Sequence, residues 1–187
     1  MRSVVLASES PRRRELMNIT GIPFYTQAAK IDETFNANLS IEEGVMDLAL
    51  RKAMKVSETR PNEVVIGADT IVVIDNEILG KPKDVEDAYR MLRLLSNKTH
   101  RVITGVAIVN QDVKKTFYEV TEVKFANLSE ETIEWYIKSR EYYDKAGGYA
   151  IQGKGMILVE RIHGDYFNVV GMPMHHLVEE LKAFINI

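Results

Sequence analysis

The chain opens on a short apolar run within Ser3 to Ala7, the pattern of a strand buried on both faces. A helix is predicted from Pro11. Ser10 supplies its N-cap, and Pro11 takes the first helical position, where a missing N–H leaves nothing unpaired. Gly21 and Pro23 end it. Ser40-Ile41-Glu42-Glu43 has the spacing of a capping box. The helix it opens carries Val45, Leu48, Ala49, Ala53 and Val56 on one stripe and stops before Pro61. Two β-branched runs follow, Val64 to Ala68 and Ile71 to Ile74, with Asp69 between them and a turn at Asp75-Asn76. Asp84 predicts the start of a third helix, with Ala88, Met91, Leu92 and Leu95 inward. Arg101 to Val109 and Thr116 to Ala126 predict paired strands joined by Asn110-Gln111-Asp112. Ser129 caps the next helix, Leu128 and Ile133 sit at staple spacing, and Trp135 is expected between helix and sheet. Met156 to Ile162 and Tyr166 to Val170 predict a hairpin about His163-Gly164-Asp165. A last helix carries Leu177, Val178, Leu181 and Phe184. Strands that alternate with helices and also pair locally predict an α/β fold with a mixed central sheet flanked by helices.

Composition narrows the function more than the fold. At 187 residues the chain is expected to be one domain spanning 1–187. Apolar residues at 45% suffice for a core without a metal or disulfide staple. The net charge of −3 argues against wrapping nucleic acid, which favours a surplus of positive charge. The absence of cysteine excludes disulfides, iron–sulfur clusters, Cys-based zinc sites and a Cys nucleophile together. No apolar stretch approaches a membrane span, and the N-terminal run is too short for a signal peptide. A cytoplasmic protein with no membrane partner is the expectation.

Five segments could carry chemistry. In Ser8-Glu9-Ser10-Pro11-Arg12-Arg13-Arg14, three arginines crowd a helix N-terminus, where cations are unfavourable by roughly 0.3–1 kcal/mol each. A solvated basic face is the ordinary reading; an anion shared with the Ser8 and Ser10 hydroxyls is the functional one. Lys52 falls on the apolar stripe of its helix, where it either snorkels or aims an ammonium into a cleft. Asp69 reads as a carboxylate at the carboxyl end of a buried strand, where open α/β sheets place ligands. Asp32-Glu33 adds carboxylates, and oxygen-only ligands suit Mg²⁺ or Mn²⁺. Lys81 stands between Gly80 and Pro82 in a short loop. Gly148 to Lys154 matches G-x-x-x-x-G-K, but Gly155 replaces the P-loop Ser/Thr and no helix follows, so the glycines there serve a close bend beside Gln152. The four histidines show no metal spacing.

Leu6-Ala7-Ser8-Glu9-Ser10-Pro11-Arg12-Arg13, Asp32-Glu33, Lys52-Ala53, Gly67-Ala68-Asp69-Thr70, Gly80-Lys81-Pro82, Thr104-Gly105-Val106, Asp144 to Tyr149 and Ile151-Gln152-Gly153 together resemble the Maf family of nucleoside triphosphate pyrophosphatases. The resemblance implies two lobes about a central sheet with a deep cleft, as in Maf and Ham1 proteins. It implies hydrolysis of a nucleoside triphosphate to monophosphate and pyrophosphate, with a divalent cation, Mg²⁺ or Mn²⁺, as cofactor. Thr70 and Gln152 resemble the branch acting on dTTP, UTP and modified pyrimidine nucleotides rather than on 7-methyl-GTP. On this resemblance Asp69 is the base that activates water and a metal ligand, and Glu33 is a second metal ligand or orients the water. Arg12, Arg13, Lys52 and Lys81 clamp phosphates with Ser8 or Ser10, while Arg12, Thr70 and Gln152 select the base. The partner is then a small nucleotide, and the resemblance leaves room for a homodimer. The competing reading is a non-catalytic nucleotide-binding regulator of septum formation.

Overall fold

The computed structural model describes residues 3–111 and 113–185, so Asp112 of the expected turn lies outside the described residues. In chain order the elements are β1 (Val4–Leu6), α1 (Pro11–Ile19), β2 (Phe24–Thr26), α2 (Ile41–Ser57), β3 (Val64–Ile74), β4 (Glu77–Leu79), α3 (Val85–Leu95), β5 (Thr99–Asn110), β6 (Val113–Phe125), α4 (Glu130–Lys138), β7 (Val159–His163), α5 (Tyr166–Val170) and α6 (Met174–Leu181). The sheet runs in the order β2-β1-β3-β5-β6-β7, with β4 paired to β3. β1 is parallel to β2 and to β3, with Val4 opposite both Phe24 and Val64. β3 with β4 and β6 with β7 are antiparallel, so the sheet is mixed as expected.

The chain forms two compact units, one of Met1–Thr70, Thr104–Glu119 and Gly171–Ile187, the other of Ile71–Ile103 and Val120–Val170. In the first, Val5, Ala7, Val65, Ala107 and Val109 meet Ala49, Ala53 and Val56 of α2. The helix lies unusually close to the sheet. A Cβ on Gly67 would stand 2.2 Å from the Ala49 carbonyl oxygen, and one on Gly105 would stand 2.5 Å from that of Val45. In the second unit, α3 and α4 pack together over Val72, Val102 and Phe125.

The caps read from the sequence are formed. Ser10 accepts the Arg13 N–H, both halves of the Ser40–Glu43 box are made, and Asp84 and Ser129 cap α3 and α4. Asp75 and Asn76 both take positive φ (48° and 63°), the geometry of a two-residue hairpin turn.

Three expectations are corrected. The runs around Asp69 form one 11-residue strand, so Asp69 lies within β3 and not at its end. Neither polar residue demands a turn there, because Lys52 meets the Asp69 carboxylate and Arg13 and Thr104 meet the Thr70 hydroxyl. The expected hairpin around Gly164 is absent. β7 pairs with β6, and Tyr166–Val170 is helical because the Asp165 carboxylate accepts the Phe167 N–H at 2.8 Å, turning the chain into a helix start. Trp135 is 46% exposed, with the Lys154 ammonium over its ring, because the inward stripe of α4 is Ile133, Tyr136 and Ile137.

Candidate active site

Lys52 settles between two carboxylates. Its ammonium lies 2.7 Å from Glu33 Oε1 and 2.6 Å from Asp69 Oδ1. The residue is buried, so it does not snorkel out to water. A buried lysine needs a charged partner, and this one has two. α2 supplies Lys52 from its apolar stripe, and the close approach allowed by Gly67 sets that helix against β3 two residues before Asp69. Glu33 arrives from the stretch between β2 and α2, which holds no regular secondary structure up to Asn36. One ammonium between two carboxylates leaves the cluster with a net negative charge. A hard divalent cation is typically held by one or two carboxylates, with water and substrate phosphates filling its shell. The Glu33–Asp69 donor pair fits that kind of shared site. It does not fit a cage closed by protein alone, and among the described residues no group of three or more His, Asp or Glu could hold a metal ion.

The Arg13 guanidinium binds the protein itself. Its Nε donates to the Gly171 carbonyl at 2.8 Å, one terminal nitrogen donates to the Ala68 carbonyl at 2.9 Å, and the other donates to the Thr70 hydroxyl at 3.0 Å. Residue-wide it keeps some exposure, yet the guanidinium is packed deeply enough that desolvation lowers its pKa, against the pull of Asp69. It remains charged all the same. The Thr70 hydroxyl is also engaged by the buried Thr104 hydroxyl at 2.9 Å. Arg13 thus grips the residues on either side of Asp69. The three arginines at the start of α1 are not equivalent. Arg13 is a tether, Arg12 is part-buried beside it, and Arg14 is exposed.

Ser8 and Ser10 support the same turn. Ser8 Oγ accepts the Ser10 N–H at 3.2 Å and lies 3.4 Å from Arg13. Ser8, Ser10, Arg12, Arg13, Glu33, Lys52, Asp69 and Thr70 all belong to the first unit. Lys81 and Gln152 belong to the second. Lys81 is exposed and pairs with Asp144 at 2.8 Å, and the neighbouring Gly147 N–H donates to the Gly80 carbonyl, so the Gly80 loop and the Asp144–Gly148 segment are fastened together. Gln152 is part-buried at the start of the 3₁₀ segment Gly153–Leu158 and makes no capping hydrogen bond there.

Sequence reasoning missed Arg51, and it gave Thr104, present in a quoted motif, no role beside Thr70. The only local signal for Arg51 is its i, i+4 spacing from Asp47, which looks like any surface ion pair.

A family model described as "Maf-like protein" matches residues 3–184. The chain belongs to the Maf family. Two curated relatives named "dTTP/UTP pyrophosphatase", from Bacillus mycoides (strain KBAB4) and Bacillus cereus (strain ZK / E33L), are each 53% identical over 184 residues, covering 98% of this chain and 96% of theirs. Among solved structures, the Staphylococcus aureus Ham1 protein is 15% identical, with a TM-score of 0.49 over 67% of this chain and 73% of that one. The paired motifs at Ser8–Arg13, Glu33, Lys52 and Asp69 thus sit in a Maf chain, and in it Glu33, Lys52 and Asp69 converge on one point.

Proposed function

We propose that this Maf protein is a nucleoside triphosphate pyrophosphatase that hydrolyses dTTP and UTP to the monophosphate and pyrophosphate. The observation that carries the reading is the Glu33–Lys52–Asp69 cluster in a chain half identical to relatives of that name. Asp69 is the base. A water oxygen forms a bond to the α-phosphorus, the α–β bridging bond breaks, and its electron pair leaves on pyrophosphate. The proton from water goes to the Asp69 carboxylate. Lys52, bound to one oxygen of that carboxylate, holds it in orientation. Arg13 fixes the strand that carries it through the carbonyl before and the hydroxyl after.

Glu33 and Asp69, with substrate phosphates, would hold a divalent cation, Mg²⁺ or Mn²⁺. When bound, it offsets negative charge on the phosphate oxygens. The donor chemistry supports this, since two carboxylates brought to one point offer the hard oxygen ligands such a cation takes. Lys81 and Arg12 are proposed to bind phosphates, as Ser8 and Ser10 are. Gln152 is proposed to choose the base, because its amide offers both an acceptor and donors to a pyrimidine edge.

The test is a panel of dTTP, UTP, ATP, GTP and 7-methyl-GTP with separate detection of pyrophosphate and orthophosphate. Efficient release of pyrophosphate from dTTP and UTP is expected. Orthophosphate as the product, or a preference for 7-methyl-GTP, contradicts the reading.

A further inference from the structure

Glu33 stands on irregular chain, is itself 53% exposed, and yet meets a buried ammonium at 2.7 Å. An exposed loop carboxylate ordinarily loses such a contact to side-chain and backbone entropy. The loop's own restraint is small. The Asp32 carboxylate accepts the Thr34 N–H at 2.9 Å and the Thr34 hydroxyl at 2.6 Å, an Asx turn that spans Glu33 but ties it to nothing outside.

The outside tie is Arg51. One terminal nitrogen donates to the Asp32 carbonyl at 2.6 Å and the other donates to the Thr34 carbonyl at 2.8 Å. These are the residues immediately before and after Glu33. The remaining edge of the guanidinium is not loose either, because Nε donates to the Asp47 carboxylate at 2.8 Å, one helical turn back on α2. A planar fork with three occupied edges has one orientation, which a flexible ammonium cannot reproduce. Arg51 is also the neighbour of Lys52. A single helix therefore supplies both the cation that Glu33 meets and the fork that fixes the backbone on either side of it.

We infer that Arg51 is a positioning residue for Glu33: it touches no reacting group and acts by holding the 32–34 segment so that Glu33 faces Lys52. This rests on the proposed role of Glu33 in pyrophosphatase chemistry only for its kinetic consequence; the positioning itself can be read without turnover. Arg13 holds Asp69 in the same manner from α1, so each carboxylate residue of the cluster is gripped by an arginine at the positions before and after it.

The experiment uses the full chain with Arg51→Ala, Arg51→Lys, Glu33→Gln and the double variant Glu33→Gln/Arg51→Ala. Backbone amide hydrogen exchange on the free protein is the first readout. Arg51→Ala is expected to raise exchange in the 31–36 segment while β3 and the body of α2 keep their protection. Arg51→Lys, which can satisfy one carbonyl but not both, is expected to fall between wild type and Ala. Unchanged exchange in 31–36 overturns the inference, as does a uniform rise across α2 and β3, which would mark a merely structural residue. Turnover of UTP is the second readout. Loss of an outer partner typically costs 10–100-fold, so Arg51→Ala is expected to lower kcat about 10-fold with a smaller change in KM. The double variant is expected to be no slower than Glu33→Gln alone, because a residue acting through Glu33 has nothing left to act through. Multiplying losses overturn the inference. If Glu33→Gln keeps full turnover, the catalytic role of Glu33 has failed, and the exchange result alone decides whether Arg51 positions the segment.

Discussion

His100 shows what burial does to a single titratable residue in this fold. The ring is buried among Phe125 and Tyr149, and Nε2 shares a 2.7 Å hydrogen bond with the Tyr149 hydroxyl. Nδ1 has no hydrogen-bond partner among the described residues. Desolvation pushes its pKa down to about 4 and pushes that of Tyr149 up, so both are neutral at pH 7. The unfolded chain takes up the imidazole proton near pH 6.5, whereas the folded chain resists until about pH 4. Its contribution is thus complete above about pH 6.5 and is lost as pH falls towards 4, an effect on the order of a few kcal/mol. His100→Phe, which keeps a ring and removes the proton site, should flatten the fall in Tm across that window relative to wild type. Parallel curves for the two proteins would show that His100 does not titrate this way. At Asp69 the corresponding substitution tests chemistry. Asp69→Asn keeps the shape and removes the proton acceptor, and general-base catalysis typically contributes 10²–10⁴-fold. A kcat loss of at least that size is expected; near-normal turnover by the folded variant would remove Asp69 from the role of base.

Among elements, α2 against β3 decides the geometry of the cluster. Gly67 is needed there because a methyl group would meet the Ala49 carbonyl oxygen and the backbone nitrogen of Ala53, which at 2.8 Å cannot yield independently of the helix. Gly67→Ala should displace α2 and cost about 1–3 kcal/mol, seen as a lower Tm, and it should reduce kcat by moving Lys52 from Asp69. An unchanged Tm would mean that the helix is not held as closely as the structure has it. The apolar stripe of α2 was legible in the sequence, as were its capping box and the odd presence of Lys52 on that stripe. What Lys52 meets was not legible, because Glu33 and Asp69 are brought to it by chain segments far apart in sequence. Arg51 escaped for the same reason: its carbonyl partners carry no residue-type signal. His163-Gly164-Asp165 reads as a turn between strands, since a helix cap and a hairpin turn use the same residue types and only the pairing of β7 with β6 separates them. The expected place of Trp135 between helix and sheet conflicts with the i, i+3, i+4 spacing of Ile133, Tyr136 and Ile137, which leaves it off the inward stripe.

At the scale of the whole molecule, a chain of net charge −3 must take up a polyanion. A divalent cation and a few arginines and lysines would offset the substrate's charge locally, in place of an overall positive field. Binding to the folded state alone should therefore raise Tm in a cation-dependent way. For the wild-type protein with a UTP analogue whose α–β bridging oxygen is replaced by a methylene, which binds without being consumed, stabilisation of about 2.7 kcal/mol is expected at a hundredfold excess over Kd. Chelation with EDTA should remove most of it; an equal shift with and without the cation would contradict a shared metal site. No helix among the described residues is long and apolar enough to cross a membrane. The most direct measurement is hydrolysis of UTP in ¹⁸O-labelled water with Mg²⁺, followed by mass analysis of both products. Attack by an Asp69-activated water on the α-phosphorus predicts one labelled oxygen in UMP and none in pyrophosphate. Label in pyrophosphate, or labelled orthophosphate with UDP, would contradict that attack.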